Sequence, residues 1–279
     1  TGISGLTLGG GFGWLTRKYG LTADNFMSAD VVTASGELVT ASESENRDLL
    51  WGLRGGSGNL GIVTSFEFRL HPVGPQVLAG LVVHRFDDAD AALRHYRDFA
   101  ATAPDELTCW AVLRKAPPLP FLPPEIHGKE ILVLAVVHAG DPGQGERLLR
   151  PLRSFGHPVA DVVSVQPFAA FQQAFDPLLT PGSRNYWRSH NFTALSDALI
   201  DKLIAYSGRL PTDQCEIFVG HLGGAASRVD THAMAYPHRD ATFVINVHTR
   251  WENPAEDRTC IAWAREFSDA IAPLATGGV

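Results

Sequence analysis

Hydrophobic positions along most of the chain follow two alternating patterns, which predict β-strands separated by helices. Residues 62–70 alternate apolar and polar positions and residues 130–138 are almost continuously apolar, so both predict strands. Residues 195–210 and 255–272 place apolar side chains three or four positions apart, which predicts helices. The same rules predict further strands at residues 28–34, 37–41, 77–83, 106–114, 185–192, 214–222 and 242–250, and further helices at residues 46–54, 87–101, 145–155 and 167–175.

The first twenty-five residues depart from this pattern because glycine replaces the apolar positions. This first glycine stretch (residues 1–25) contains Gly2, Gly5, Gly9, Gly10, Gly11, Gly13 and Gly20, and a second glycine stretch follows at residues 55–61. Glycine weakens strands and helices but lets the backbone approach a ligand or turn tightly. Neither stretch completes a dinucleotide-binding or triphosphate-binding motif. The residues alone therefore leave a ligand-binding backbone and structural turns as alternatives.

Composition narrows the classes of protein that the chain can represent. It has 279 residues, 45% of them hydrophobic and 19% charged, which is typical of a globular protein with a substantial core. A net charge of −7 argues against nucleic acid or an anionic membrane as a partner. The apolar run at residues 131–137 is shorter than the roughly 20 residues that span a bilayer. The three cysteines and eleven histidines lack disulfide or metal-site spacing, so no metal site is predicted.

A domain boundary is predicted near residue 75, where the sequence His-Pro-Val-Gly-Pro ends a strand. The predicted domains are residues 1–75 and residues 76–279. The chain begins inside a motif and without Met, so we expect it to be a piece of a longer protein, and its localisation is not assigned.

Four segments together resemble the berberine-bridge-enzyme-like oxidases, which are FAD-linked enzymes of the p-cresol-methylhydroxylase type. They are GLTLGGGFGWLTRKYGLTADN, DLLWGLRGGSGNLGIVTSFEFRLHPVG, HLGGAASRV and YPHRDATFVINVHTRW. The alternation of strands and helices would ordinarily indicate a parallel sheet. The resemblance implies instead an α+β fold, in which residues 1–75 are the C-terminal part of an FAD-binding domain. Residues 76–279 are then a truncated substrate domain, whose antiparallel sheet is covered by helices on one side.

The resemblance also implies the cofactor, FAD, with any covalent attachment site upstream of this chain. The physical requirement is a set of backbone donors for the diphosphate and for the flavin edge. Carried over by motif, the cofactor-binding residues are Gly2, Gly5, Thr7, Gly9, Gly10, Gly13, Gly20, Asn25, Gly61, Ile62 and Val63.

Candidate substrate-side residues lie on three predicted strands. The period of two in a strand places Tyr186, Arg188 and His190 on one face, and the resemblance puts that strand above the flavin. His221 ends the next strand and is also assigned to substrate binding. Asn246 and His248 are the candidate catalytic residues, in a strand where some family members carry a catalytic glutamate that is absent here.

For each of these histidines, a hydrogen-bonded structural role is the alternative. His238 and Arg239 are a candidate structural tie for the loop that precedes them, through charge-assisted hydrogen bonds.

The function implied by the resemblance is that of an FAD-dependent oxidase. It would transfer hydride from an alcohol, sugar or secondary-metabolite substrate to the flavin, with dioxygen as the acceptor. The alternatives are a flavin dehydrogenase with another acceptor and a non-catalytic ligand-binding relative. The expected partners are a small-molecule substrate and dioxygen, with neither nucleic acid nor membrane. Exposed faces of a divided flavin domain would favour self-association.

Overall fold

The structure, a computed structural model that describes residues 2–278, divides the chain into two units. Unit 1 joins Thr1–Pro72 with Leu222–Ala241, and unit 2 joins Val73–His221 with Thr242–Val279. Thr1 and Val279, at the ends of the predicted domains, lie outside the described residues. The predicted substrate domain was one continuous segment, residues 76–279. In the structure, residues 222–241 of that segment, called here the returning segment, pack in unit 1 with the first glycine stretch. Contacts between residues far apart in sequence cause this, and no local pattern announces them.

Unit 1 contains two short helices that the glycine content did not predict. They are α1 (Ile3–Leu8) and α2 (Thr16–Tyr19). Strands β1 (Phe26–Val32) and β2 (Leu38–Ala41), helix α3 (Arg47–Leu53) and strand β3 (Ile62–Phe68) follow.

The three strands of unit 1 form an antiparallel sheet in the order β2-β1-β3. Its small core collects one face of β1 and one face of α3, through Leu8, Phe26, Ala29, Val31, Ala41, Leu50 and Leu53. The alternation of buried residues along β1 is what a sheet with one covered face requires.

Unit 2 is built on a larger sheet. Its strands are β4 (Gln76–Arg85), β5 (Leu107–Lys115), β6 (Glu130–His138), β7 (Ala160–Asp161), β8 (Ser164–Pro167), β9 (Arg184–Phe192), β10 (Glu216–His221), β11 (Phe243–Trp251) and β12 (Gly277–Gly278). Its helices are α4 (Ala89–Ala100), α5 (Pro142–Arg153), α6 (Phe168–Gln173), α7 (Asp197–Ser207) and α8 (Asp257–Ile271). Among residues 2–278, no helix is long and apolar enough to cross a bilayer.

The strand order in unit 2 is β12-β9-β11-β10-β5-β6-β4-β7, with β8 also pairing with β4. Every strand pair is antiparallel. The predicted α+β class and antiparallel sheet are therefore confirmed. The parallel sheet that strand–helix alternation alone would indicate does not form.

The two faces of this sheet have different neighbours. On the helix-covered face, Leu113, Ile217 and Val247 lie side by side and pack in the main core with α4, α7 and α8. On the second face, Val112 and Val133 pack in a separate cluster with the proline-rich loop at residues 116–128. Because neighbouring strands keep their side chains in register, one residue of known face assigns its partners on every strand.

Candidate functional site

The two glycine stretches meet in unit 1. The backbone N–H of Ser57 donates to the carbonyl oxygen of Leu8 at 2.8 Å, which joins the second stretch to the end of α1. The N–H groups of Gly10 and Gly55 are bonded within their own turns, to Thr7 and Leu53. One compact unit therefore brings together the two segments from which the cofactor-binding residues were predicted.

At several of those glycines, other residues of unit 1 fill the space beside the backbone. A Cβ atom placed on Gly10 would lie 2.5 Å from Cδ2 of Tyr236, and one on Gly20 would lie 2.6 Å from a carboxylate oxygen of Asp24. A Cβ on Gly61 would lie 2.7 Å from the side chain of Val31. At these three positions the missing side chain makes room for the protein itself.

Three further predicted residues use their side chains within unit 1. The hydroxyl of Thr7 donates to the carbonyl oxygen of Ile3 at 2.7 Å. The amide nitrogen of Asn25 donates to the carbonyl oxygens of Tyr19 and Leu21. Val63 packs against the small core. Their side chains stabilise helix α1, the short 3₁₀ helix at Ala23–Asn25 and the three-stranded sheet of unit 1.

The remaining predicted positions leave open space. A Cβ atom on Gly2, Gly5 or Gly13 would meet nothing within 4 Å, and one on Gly9 would approach a backbone oxygen at 3.3 Å. Ile62 is 70% exposed at the start of β3. Exposed backbone with room beside it and an exposed apolar side chain are the features that a flat, anionic cofactor requires.

The strand register of unit 2 separates the predicted substrate-side residues. Tyr186 lies opposite Thr249, Arg188 opposite Val247 and His190 opposite Ile245, all on the helix-covered face. Asn246 and His248 occupy the alternate positions of β11 and therefore point to the second face.

Contacts with α8 account for the three residues on β9. His190 Nε2 lies 2.9 Å from the hydroxyl of Ser268, and Arg188 Nε donates to the same hydroxyl at 3.3 Å. The hydroxyl of Tyr186 accepts a hydrogen bond from Arg265 Nε at 3.1 Å. Their assignment to substrate binding stays a prediction, and the face that they share is the one that packs on the helices.

His221 is also inside unit 2 rather than beside a binding surface. It is 1% exposed and its ring stacks on that of Phe243, with centroids 5.4 Å apart. Its register partner on β11 is the same Phe243, which belongs to the main core. Its assignment to substrate binding likewise stays a prediction.

On the second face, His248 has a carboxylate partner that the sequence did not reveal. Glu216 on β10 lies opposite His248, and its Oε1 is 3.0 Å from His248 Nδ1. Arg114 on β5 lies opposite Glu216 and its Nη1 donates to Oε2 at 3.0 Å. The three side chains form a row across three neighbouring strands, each only about 15% exposed or less.

This row determines the charge of Glu216 and the orientation of the His248 ring. Burial by itself raises the pKa of the Glu216 carboxyl, but the hydrogen bond from His248 and the charge of Arg114 outweigh it, so the pKa lies below its ordinary value. An ionised carboxylate only accepts hydrogen bonds, so His248 Nδ1 must carry the proton. In the neutral ring, Nε2 is then the acceptor.

Aromatic rings continue the row along the second face. Trp187, 49% exposed, stacks on His248 with ring centroids 4.2 Å apart. Phe218 lies parallel to His248 on the other side, at 6.0 Å, and meets Trp110 edge to face at 5.1 Å. The buried Oδ1 atom of Asn246 has no hydrogen-bond partner among residues 2–278.

Sequence reasoning missed Glu216, Arg114 and Trp187. A period of two could have placed Trp187 opposite in face to its neighbours on β9, but only the register across strands connects it to His248.

Comparisons with known proteins agree with the geometry of both units. No family profile matches the chain. The uncharacterized FAD-linked oxidoreductase YgaK of Bacillus subtilis is 32% identical over 286 residues, which are 99% of this chain and 60% of that protein. An FAD-linked oxidoreductase of Dictyostelium discoideum is 28% identical over 281 residues, 99% of this chain and 59% of that protein.

Among solved structures, the fold is similar to that of the wild-type berberine-bridge-enzyme-like protein 1 of Physcomitrella patens. The TM-score is 0.85 at 22% identity, over 99% of this chain and 61% of that structure. In sequence the chain is similar to FAD-linked oxidoreductases, and its fold is that of berberine-bridge-enzyme-like proteins. It spans about 60% of the length of the curated relatives that it matches from end to end.

The FAD-linked relatives support FAD as the cofactor, in agreement with the sequence-based prediction. The residues present fit it, because a Cβ at Gly2, Gly5 or Gly13 would occupy space that is open beside the backbone. Those glycines and the exposed Ile62 are the predicted cofactor-binding positions with open space beside them. Beside Gly10, Gly20 and Gly61 the space is filled by Tyr236, Asp24 and Val31.

Proposed function

We propose that the protein carrying this chain is an FAD-dependent oxidase of a small-molecule alcohol, sugar or secondary-metabolite hydroxyl. The observation that carries the proposal is the meeting of both glycine stretches in unit 1, with open space beside Gly2, Gly5 and Gly13. When bound, FAD supplies the acceptor for a hydride from the substrate. The chain's own residues then have to bind the substrate and receive its proton.

We assign the proton-accepting role to His248 on the second face of the unit 2 sheet. Because Glu216 accepts the hydrogen bond from Nδ1, Nε2 is the ring nitrogen to which we assign the proton from a hydroxyl or amine. Asn246, whose buried Oδ1 lacks a partner within the described part of the chain, is the second polar group that we assign to substrate.

The exposed indole of Trp187 supports a ring-containing substrate. It lies on the same face of the sheet as His248, and its exposed part offers a flat surface on which a sugar or aromatic ring can pack. Among the relatives, one from Thermothelomyces thermophilus is named a xylooligosaccharide oxidase and is 53% identical over 76 residues, 27% of this chain and 15% of that protein. We include sugars among the substrate classes on these two grounds.

The first experiment asks whether the protein carries flavin. We expect a yellow protein with flavin absorption bands that bleach when a panel of sugars, alcohols and phenolic alcohols is added without oxygen. A colourless protein after gentle purification would favour the non-catalytic ligand-binding relative and remove the oxidase proposal.

Self-association stays a prediction, and sedimentation of the chain at high concentration would test it.

The second experiment identifies the electron acceptor. Rapid mixing of the reduced protein with dissolved oxygen should restore the flavin absorbance within the turnover time. Slow return with oxygen, together with fast return with a quinone or dye, would assign the protein to the dehydrogenases instead.

Neighbouring residues on opposite faces provide a matched test of the substrate side. Trp187→Ala should raise KM for the substrate that bleaches the flavin, because it removes the exposed ring. Tyr186→Ala, on the helix-covered face, should change stability without changing KM. Equal effects of both substitutions on KM would contradict the assignment of the second face.

A further inference from the structure

A single residue of the returning segment contacts both glycine stretches. A Cβ atom placed on Gly10 would lie 2.5 Å from Cδ2 and 2.8 Å from Cε2 of the Tyr236 ring. One placed on Gly55 would overlap Cβ of Tyr236 and lie 2.8 Å from its backbone nitrogen. The ring of Tyr236 therefore rests on the first stretch while its backbone rests on the second. Any side chain at either glycine would force these segments apart.

The backbone beside Tyr236 is fixed to α3 and the residue that follows it. The N–H of Tyr236 donates to the carbonyl oxygen of Arg54, and that of Ala235 donates to the carbonyl oxygen of Trp51, both at 3.1 Å. The indole N–H of Trp51 in turn donates to the carbonyl oxygen of His232 at 2.9 Å. These bonds run between α3, with the residue that follows it, and the returning segment, so they fix the backbone that carries the Tyr236 ring.

Arg239 fixes the other end of the same segment. Its guanidinium binds both carboxylate oxygens of Asp24, at 2.7 and 3.0 Å, and its Cζ lies 5.3 Å from the centroid of the Tyr236 ring. Asp24 also accepts the N–H of Leu21 at 2.7 Å, so the ion pair reaches the turn that ends the first glycine stretch.

The glycine positions of the two stretches have no side chains with which to pack on a facing segment. Glycine-rich backbone has high conformational freedom and no side chain to pack on a facing segment. A direct backbone hydrogen bond between the stretches runs from Ser57 to Leu8. Tyr236 restricts both stretches at once, because its rigid ring contacts the first and its backbone contacts the second.

We propose that Tyr236 is a positioning residue, which sets the separation of the two glycine stretches and so pre-organises their backbone for FAD. This role rests on the proposed function, because fixing the separation of the stretches affects FAD binding only if FAD lies on their open side. The phenol ring, rather than its hydroxyl, carries the role, since the ring makes the contacts with Gly10.

Hydrogen exchange measures the positioning without any cofactor. In Tyr236→Ala we expect the amide protons of Gly10 and Ser57 to exchange about tenfold faster than in the unsubstituted protein, because their hydrogen bonds open more often. Tyr236→Phe should restore slow exchange. Phe68→Leu is the control: it thins the core of unit 1 around Phe26 and Phe66 and keeps Tyr236, Gly10 and Gly55 unchanged. Should Tyr236→Ala fail to fold, Tyr236→Leu keeps the backbone contact with Gly55 and loses the flat ring.

Flavin retention supplies the second readout. Tyr236→Ala should lose flavin in dialysis about tenfold faster than Tyr236→Phe and the Phe68→Leu control, the effect of roughly 1.4 kcal/mol in the bound state. Exchange at Gly10 and Ser57 that matches the control would overturn the positioning role. So would faster exchange with unchanged flavin retention. If the unsubstituted protein holds no flavin while exchange still responds to Tyr236→Ala, the proposed function fails and the packing contact alone stands.

Discussion

Arg239 and Asp24 form a buried, two-point ion pair inside unit 1, across 215 positions of sequence. Arg239 Nη2 lies 2.7 Å from Asp24 Oδ1, and the two side chains are only 2% and 9% exposed. Arg239 Nη1 also donates to the carbonyl oxygen of Ala226 at 3.1 Å. The predicted tie of the loop before Arg239 is thus realised by Arg239, and it joins the returning segment to the first glycine stretch.

Removing one partner of this pair should leave the other charged and buried. We expect Arg239→Met or Asp24→Asn to lower the free energy of unfolding by about 3–5 kcal/mol, the usual result of breaking a buried pair. Chemical denaturation measures it. The double variant should cost less than the sum of the single variants, because the two groups interact. As a control, Arg209→Met breaks a surface pair with Glu266 and should have a much smaller effect. Additive losses would contradict the pairing.

Gly10 should be required for folding as well as for cofactor binding. Its φ is +104°, and a Cβ would meet the ring of Tyr236. Gly36 has a similar φ of +83°, but a Cβ there would meet nothing within 4 Å. Gly36→Ala should therefore cost about 1–2 kcal/mol from backbone strain alone. Gly10→Ala should cost roughly 1–3 kcal/mol more, from the added clash.

Thermal and chemical unfolding of the cofactor-free variants compares the two substitutions. Adding Tyr236→Ala to Gly10→Ala should recover part of the loss, because it removes the clashing ring. Equal costs at both glycines would show that the contact with Tyr236 is unimportant.

Gly13 gives the complementary test, since it borders open space. Gly13→Val should change the stability of the cofactor-free protein by no more than about 1 kcal/mol, as for an ordinary surface substitution. Flavin content after purification should nevertheless fall, because the new side chain occupies space that FAD would use. Absorbance of the flavin relative to protein measures this. Normal flavin content in Gly13→Val would remove Gly13 from the cofactor site.

His84 should make unit 2 less stable in acid. It is 1% exposed, and neither ring nitrogen has a hydrogen-bond partner within the described part of the chain. Burial lowers the pKa of His84 below its ordinary value, and the charge of Asp88 only partly opposes this. Below about pH 6.5 the unfolded chain therefore binds a proton that the folded chain resists. Stability contributed by the neutral ring is present above that pH and is lost as the pH falls.

The substitution that tests this is His84→Phe, which keeps a ring in the same space. Denaturant midpoints at about pH 7.5 and about pH 5.5 should differ less in His84→Phe than in the unsubstituted protein. His157→Gln, at an exposed histidine, serves as the control and should leave the difference unchanged. An unaltered pH dependence in His84→Phe would contradict a role for His84.

The row of Arg114, Glu216 and His248 yields a kinetic prediction. If Nε2 of His248 accepts the substrate proton, His248→Gln should lower kcat by roughly 10²–10⁴-fold, the range of general-base catalysis. Glu216→Gln should lower kcat less and shift the pH profile, because an amide no longer holds the ring as a carboxylate does. His190→Gln, on the helix-covered face, should leave kcat unchanged. A rise in KM alone for His248→Gln would reassign His248 to substrate binding.

The sequence by itself determined most strands and helices and the face shared by alternating residues. The strand predicted at residues 130–138 coincides with β6, because its side chains are buried from end to end and its flanks are polar. The quoted motifs also carried the family resemblance, which implied the antiparallel sheet that the structure confirms. Local periodicity alone indicated a parallel sheet, since it records spacing along a strand and not the direction of its neighbour.

Only the tertiary structure decided which face was which. Tyr186, Arg188 and His190 do share a face, as the period of two required, but the register with β11 puts them under α8 and puts His248 on the opposite side. A shift of one residue in the pairing of β9 with β11 would exchange the two faces of β9. Local spacing in one sequence does not determine which register forms.

The same limit applies to contacts between distant segments. Glu216 meets His248 across 32 positions, and Arg239 meets Asp24 across 215. Gly10 was predicted to make room for FAD, whereas the space beside it is filled by Tyr236. The sequence shows which positions lack a side chain and which carry a charge. Only folding decides which distant residue fills the space beside a glycine or pairs with a charged group.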